Sequence, residues 1–143
     1  MTELHNEWWS SLDNYWKLKL AQAHIPNWTH KQSIQLKASY DLQEIKKIAL
    51  SVKELNFFDE NEKMTKVPDL SLLKNLIEFH IGSNCEFDDI ENIKTIQNLE
   101  YLSIFNSEID DINFVSSLNN LKRLELFTTK VSSFECIANL LST

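Results

Sequence analysis

At 143 residues, with 43% hydrophobic and 24% charged side chains, the chain has the composition of a globular domain with a sizeable core, which excludes wholesale disorder. The net charge of −7 is uneven: residues 1–50 carry six basic and five acidic side chains, residues 51–143 eight and sixteen, so the acidity belongs to the second stretch. The only adjacent basic pairs are Lys46-Lys47 and Lys122-Arg123, which argues against nucleic acid as a partner and for a basic protein.

The opening MTELHNEWWS lacks the basic flank and apolar run of a secretory signal, and no segment approaches the roughly 18 apolar residues of a membrane span. Two cysteines, Cys85 and Cys136, are too few for a disulfide framework and suit reduced thiols. A cytoplasmic location away from membranes is therefore expected.

The first predicted element lies in NEWWSSLDNYWKLKLAQAHIP, where Trp9, Leu12, Trp16, Leu20 and Ala23 recur every three to four residues, Asn6 stands as a cap and Pro26 lies just past the end. That pattern predicts one amphipathic helix. A second helix is predicted at DLQEIKKIALSV, capped by Ser39 or Asp41, after a short strand carrying Ile34 and Leu36.

From there the chain repeats itself. Shifting residues 98–140 by 22 positions superposes Leu99 on Leu121, Leu102 on Leu124, Ile104 on Leu126, Ile109 on Val131, Ile112 on Phe134, Val115 on Ile137 and Leu118 on Leu140. One step back, the same seven slots hold Leu76, Phe79, Ile81, Phe87, Ile90, Ile93 and Ile96. A further step gives Val52, Leu55, Phe57, Met64, Val67, Leu70 and Leu73. With Ile34, Leu36, Leu42, Ile45 and Ile48 before them, about five units emerge. Each has an alternating stretch for a strand, then apolar positions every third residue that suit a 3₁₀ or short helical return. One such coil cannot bury its own apolar face, whereas stacked coils share a continuous core.

The pattern LxxLxLxxNxIxDI at a 22-residue period resembles the bacterial leucine-rich repeats of the internalin type. Asn84 matches the turn asparagine of that family, and Asp89-Ile90 and Asp111-Ile112 match its "DI" pair; Ser107 and Thr129 replace the asparagine, and Lys66-Val67 and Ser133-Phe134 replace "DI". The match is strong over residues 51–140 and weak over 31–50. It implies an α/β solenoid with parallel strands on a concave face used for binding proteins. Residues 1–30 are then expected to be a helical cap, since an uncovered terminal coil exposes its core, and residues 31–143 the repeats. The competing use of Trp8, Trp9 and Trp16, three tryptophans within nine residues, is a membrane-surface or peptide-binding stripe.

Little in the sequence suggests catalysis. A single glycine, Gly82, rules out phosphate-cradling loops, and there is no HExxH or CxxC motif. Asp88-Asp89 and Asp110-Asp111 recur at equivalent positions, which marks them as turn and return-entry residues. His5, His24, His30 and His80 show no ligand spacing; His80, outward between Glu78 and Gly82 and within reach of Cys85, is expected to be a surface histidine. No catalytic residue, cofactor or metal is expected.

The outward strand positions are more informative. They form columns of Ser33, Glu54, Glu78, Tyr101 and Arg123; Gln35, Asn56, His80, Ser103 and Glu125; Lys37, Phe58, Gly82, Phe105 and Phe127. Aromatic and arginine side chains dominate binding hot spots. The expected function is therefore a non-catalytic protein-binding module. Its site is Tyr101, Phe105, Arg123, Phe127, Phe58 and His80, with Glu54, Glu78 and Glu125 supplying charge. The alternative is a structural repeat domain that forms a homodimer through its C-terminal edge, where only Ser142-Thr143 follow Ile137, Leu140 and Leu141, or that is a fragment of a larger protein.

Overall fold

A computed structural model describes residues 2–24, 36–57, 63–82, 86–105 and 109–127. The N-terminal segment forms two helices rather than one: α1 (Thr2–Ser11) and α2 (Asn14–Ala23). Asp13 causes the division. Its carboxylate accepts a hydrogen bond from Trp16 N at 2.9 Å and so starts a new helix, the local competition with helix interior that makes aspartate a capping residue. Asn6, expected as the cap, lies inside α1.

Both helices turn aromatic side chains inward. Trp8, Trp9, Leu12, Trp16, Leu20 and Ala21 are buried. The Trp16 ring centroid lies 5.3 Å from that of Phe57 and 6.5 Å from that of Phe87. The Trp8 indole donates to the Asp69 carbonyl at 2.7 Å, so its polar edge is satisfied as its ring is buried. The helix α3 (Leu42–Ser51) packs against α1 and begins with a capping box. Asp41, not Ser39, is the cap: its carboxylate accepts from Glu44 N at 2.8 Å, and Glu44 accepts from Asp41 N at 3.4 Å.

Four strands, β1 (Glu54–Phe57), β3 (Glu78–Ile81), β5 (Tyr101–Phe105) and β6 (Arg123–Phe127), form a parallel sheet in that order. Leu55 pairs with Phe79, Phe79 with Leu102, and Leu102 with Leu124, as the repeat alignment requires. A second parallel pair, β2 (Lys63–Lys66) and β4 (Glu86–Asp89), stands where the sequence suggests only turn and return entry. The strand expected before α3 is not present in its described part: Leu36 and Lys37 are not in a strand, and Ser33, Ile34 and Gln35 lie outside the described residues.

Two of the returns are 3₁₀ helices, Glu91–Thr95 and Asn113–Ser117. Asp89 and Asp111 open them, each carboxylate accepting at 2.8 Å from the backbone nitrogen two residues on, Glu91 and Asn113. That is why the aspartates recur. A further recurrence, Asn-Leu at 75–76, 98–99 and 120–121, escapes an apolar alignment. The side-chain amides of Asn75, Asn98 and Asn120 donate to the carbonyls of Leu50, Lys74 and Gln97 at 2.6, 2.8 and 2.9 Å, tying each unit to its predecessor.

The core runs between sheet and returns. Val52, Leu55, Phe57, Val67, Leu70, Leu73, all seven slots from Leu76 to Ile96, and those from Leu99 to Leu118 are buried, while Leu121, Leu124 and Leu126 are partly buried. Burying a side chain of this size stabilises by about 1.5–3 kcal/mol. The Met64 side chain, Asn84, Cys85, Ser107 and everything from residue 128 onward, including Cys136 and the C-terminal edge, lie outside the described residues. Among the described residues no helix is long and apolar enough to cross a membrane.

Trp16, at 2% exposure, sits where α2 meets the first coil. Replacing it with Ala should cost about 3–5 kcal/mol in denaturant unfolding. A variant that unfolds at the wild-type midpoint but loses affinity for vesicles or peptides would instead make the tryptophans a binding surface.

Candidate functional site

On the sheet face turned away from the core, strand register builds the columns expected from alternation. Glu54, Glu78, Tyr101 and Arg123 align across the four strands; Asn56, His80, Ser103 and Glu125 form the next column, and Phe105 pairs with Phe127. Phe58 lies outside the described residues.

Phe105 and Phe127 stack with ring centroids 4.8 Å apart and planes 6° from parallel. Phe105 is half-buried, but Phe127 remains 53% exposed. The two rings form one apolar stack at the end of β5 and β6.

At the other end of these strands the groups are polar and tightly linked. The Tyr101 hydroxyl donates to Glu125 Oε2 at 2.8 Å, and Arg123 Nε donates to Glu125 Oε1 at 2.8 Å. The guanidinium carbon lies 4.7 Å from the Tyr101 ring centroid, within cation–π range. Hydrogen bonds from Tyr101 and then Arg123 hold the Glu125 carboxyl below the usual carboxylate range. The same bond to Glu125 raises the Tyr101 phenol, and Glu125 also raises Arg123. Exposure to solvent limits what such pairs add to stability, but it does not prevent them from fixing the orientation of the arginine.

His80 corrects the expectation of a surface histidine. It is on the outward parity yet only 6% exposed. Its Nδ1 lies 2.6 Å from Ser103 Oγ, and its Nε2 lies 3.3 Å from Glu78 Oε2 and 4.0 Å from Glu54 Oε1. Tyr101 meets its ring edge-on, centroids 4.6 Å apart. Parity decides which face a side chain leaves from, but the longer neighbours decide whether water reaches it. The sequence reading also passes over Asn56, which donates to Glu54 Oε1 at 2.7 Å, and Ser103, wholly buried. Their place in the His80 column is the signal that could have marked them.

Ser103, His80 and Glu78 line up like the parts of a hydrolytic triad. Their geometry is wrong for one. In the Ser-His-Asp triad the serine gives its proton to Nε2 while the carboxylate holds Nδ1, and the serine must also meet substrate. Ser103 is 0% exposed and on Nδ1, while the carboxylates are on Nε2. The chain of bonds orients the imidazole within the face.

A tyrosine-selective NMR titration should show Tyr101 ionising above the ordinary phenol range, and Glu125→Ala should bring it down. An unchanged Tyr101 titration in that variant would show that the hydrogen bond is not the cause. The Glu125 carboxyl should titrate below its ordinary value of 4.5. Its contribution to stability is thus present above the unfolded value and lost as pH falls through the lowered folded value.

No protein-family model and no curated protein sequence matches the chain. Solved structures do match. An internalin (inlF) from Listeria monocytogenes aligns at 22% identity and a TM-score of 0.52, over 70% of this chain and 28% of that one. An internalin C2 (inlC2) from the same organism aligns at 23% identity and a TM-score of 0.53, over 70% of this chain and 52% of that one. The chain thus corresponds to about half or less of those proteins. Parallel strands stacked coil upon coil over one apolar core, with an internalin-like path of the backbone, make this chain an α/β leucine-rich repeat solenoid.

Proposed function

We propose that the chain is a non-catalytic module that binds a protein, most favourably a basic one, through the outward face of its sheet. The observation that carries this is the stacked Phe105–Phe127 pair on that face, with Phe127 more than half exposed beside a face otherwise built of ordered polar groups. A large apolar side chain exposed on an otherwise polar face is characteristic of an interaction surface. Aromatic rings and a preordered arginine on one face are the residue types enriched in binding hot spots.

Within this scheme Phe105 and Phe127 are the anchors, and Tyr101 and Arg123 provide amphipathic contacts at the other end of the same strands. Glu54, Glu78 and Glu125 supply negative charge toward a basic surface. His80 is too buried to offer contact area, so it holds Glu78 in place. The internalin-like fold suits an interaction module in general.

The Phe105→Ser/Phe127→Ser double variant should melt close to wild type and lose its partner by about thirtyfold or more in affinity, the effect of truncating a hot spot. Retention of host proteins on immobilised wild type and variant, followed by affinity measurement on those that differ, checks it. An unfolded variant would assign the rings to the core. A folded variant that retains every partner would remove this face as the site.

A further inference from the structure

Three ligand atoms converge where β1 and β3 pair. His80 Nε2 lies 3.3 Å from Glu78 Oε2 and 4.0 Å from Glu54 Oε1, and the three atoms lie within 4.8 Å of one another. Around a tetrahedral zinc with bonds of about 2.0–2.2 Å, ligand atoms stand roughly 3.3–3.5 Å apart. The histidine and Glu78 are therefore already spaced as ligands, and the exposed Glu54 carboxylate has roughly 1 Å to close.

Two further features point the same way. Glu54 and Glu78 are direct register partners, and like charges opposite one another on neighbouring strands are destabilising without a cation between them. The surrounding contacts are those that orient metal ligands: buried Ser103 holds His80 Nδ1 at 2.6 Å, and Asn56 Nδ2 holds Glu54 Oε1 at 2.7 Å. On Asn56, the register partner of His80, the Oδ1 atom is buried and finds no donor among the described residues. The carboxylates, 49% and 37% exposed, give entry from solvent.

We propose that Glu54, Glu78 and His80 form a three-ligand site for a divalent transition cation of zinc's chemistry. An imidazole with two carboxylates suits zinc better than magnesium or calcium, which favour oxygen-only sets. Coordination uses the Nε2 lone pair, so the ring proton sits on Nδ1 and is donated to Ser103 Oγ; a fourth position is left to water. The sequence alone predicts no metal here, because it shows only Glu-x-His and a glutamate 24 residues earlier, and strand register is what joins them.

Zinc sulfate titrated calorimetrically into the full chain should bind at about one ion per chain, and magnesium chloride should give no comparable binding. Glu54→Gln and Glu78→Gln, both at solvent-accessible positions and checked for fold by circular dichroism, should each weaken zinc by about tenfold or more. In nitrogen-15 spectra His80 should pass to the Nδ1-protonated form with Nε2 shifted by the metal. Absence of binding would overturn the site. So would binding undiminished in both variants, which places the ion elsewhere in the chain, or magnesium binding equal to zinc.

Discussion

Each coil of this chain exposes an apolar surface that only its neighbour can cover, and in-register parallel pairing of the strands brings that cover into place. Leu55, Phe79, Leu102 and Leu124 stand in one row because the sheet register advances by one repeat per strand. Where no preceding coil is described, α1, α2 and α3 supply Trp8, Trp9, Trp16, Leu20, Ile45 and Ile48 instead. The core begins in aromatic contact, Trp16 against Phe57 and Phe57 against Phe79, and continues in aliphatic side chains toward Leu102 and Ile104. The outward columns inherit their alignment from this inner row, so the polar cluster and the phenylalanine pair are by-products of core register.

The fold was legible in the sequence to the extent that it depends on apolar spacing. From Leu76 to Leu118 every apolar slot is buried, because periodicity is the direct imprint of which side chains face the core. What spacing does not encode is local hydrogen bonding. Asp13 divides a helix whose apolar period runs on unbroken through Leu12 and Trp16, and around the aligned Met64 and Phe87 a single apolar slot in a polar stretch does not announce the backbone pairing of β2 with β4.

For the candidate site, the columns followed from alternation, and the meeting of Tyr101 with Arg123 and of Phe105 with Phe127 came with them. The depth of His80 did not. It depends on how the rings and carboxylates of three strands fold over one position, which is a property of side-chain conformation. For the same reason Ser103 was legible as outward and yet is wholly enclosed beneath its neighbours. An outward parity gives a direction, and exposure needs the shape of everything nearby.

The asparagines at 75, 98 and 120 have a consequence for how such a molecule can arise. Each amide reaches back to the carbonyl of the unit behind it, and for Asn98 and Asn120 that carbonyl belongs to the residue just before the previous asparagine. The bond is directional and head-to-tail, so a duplicated unit carries both its own donor and the acceptor for its successor. Segments of 24, 23 and 22 residues between strand starts coexist with this ladder, since a change of length elsewhere in the coil leaves the clasp untouched. Growth by tandem duplication, with drift in length confined to the turns, therefore needs no compensating change at the joins, and nothing within a unit sets how many there are.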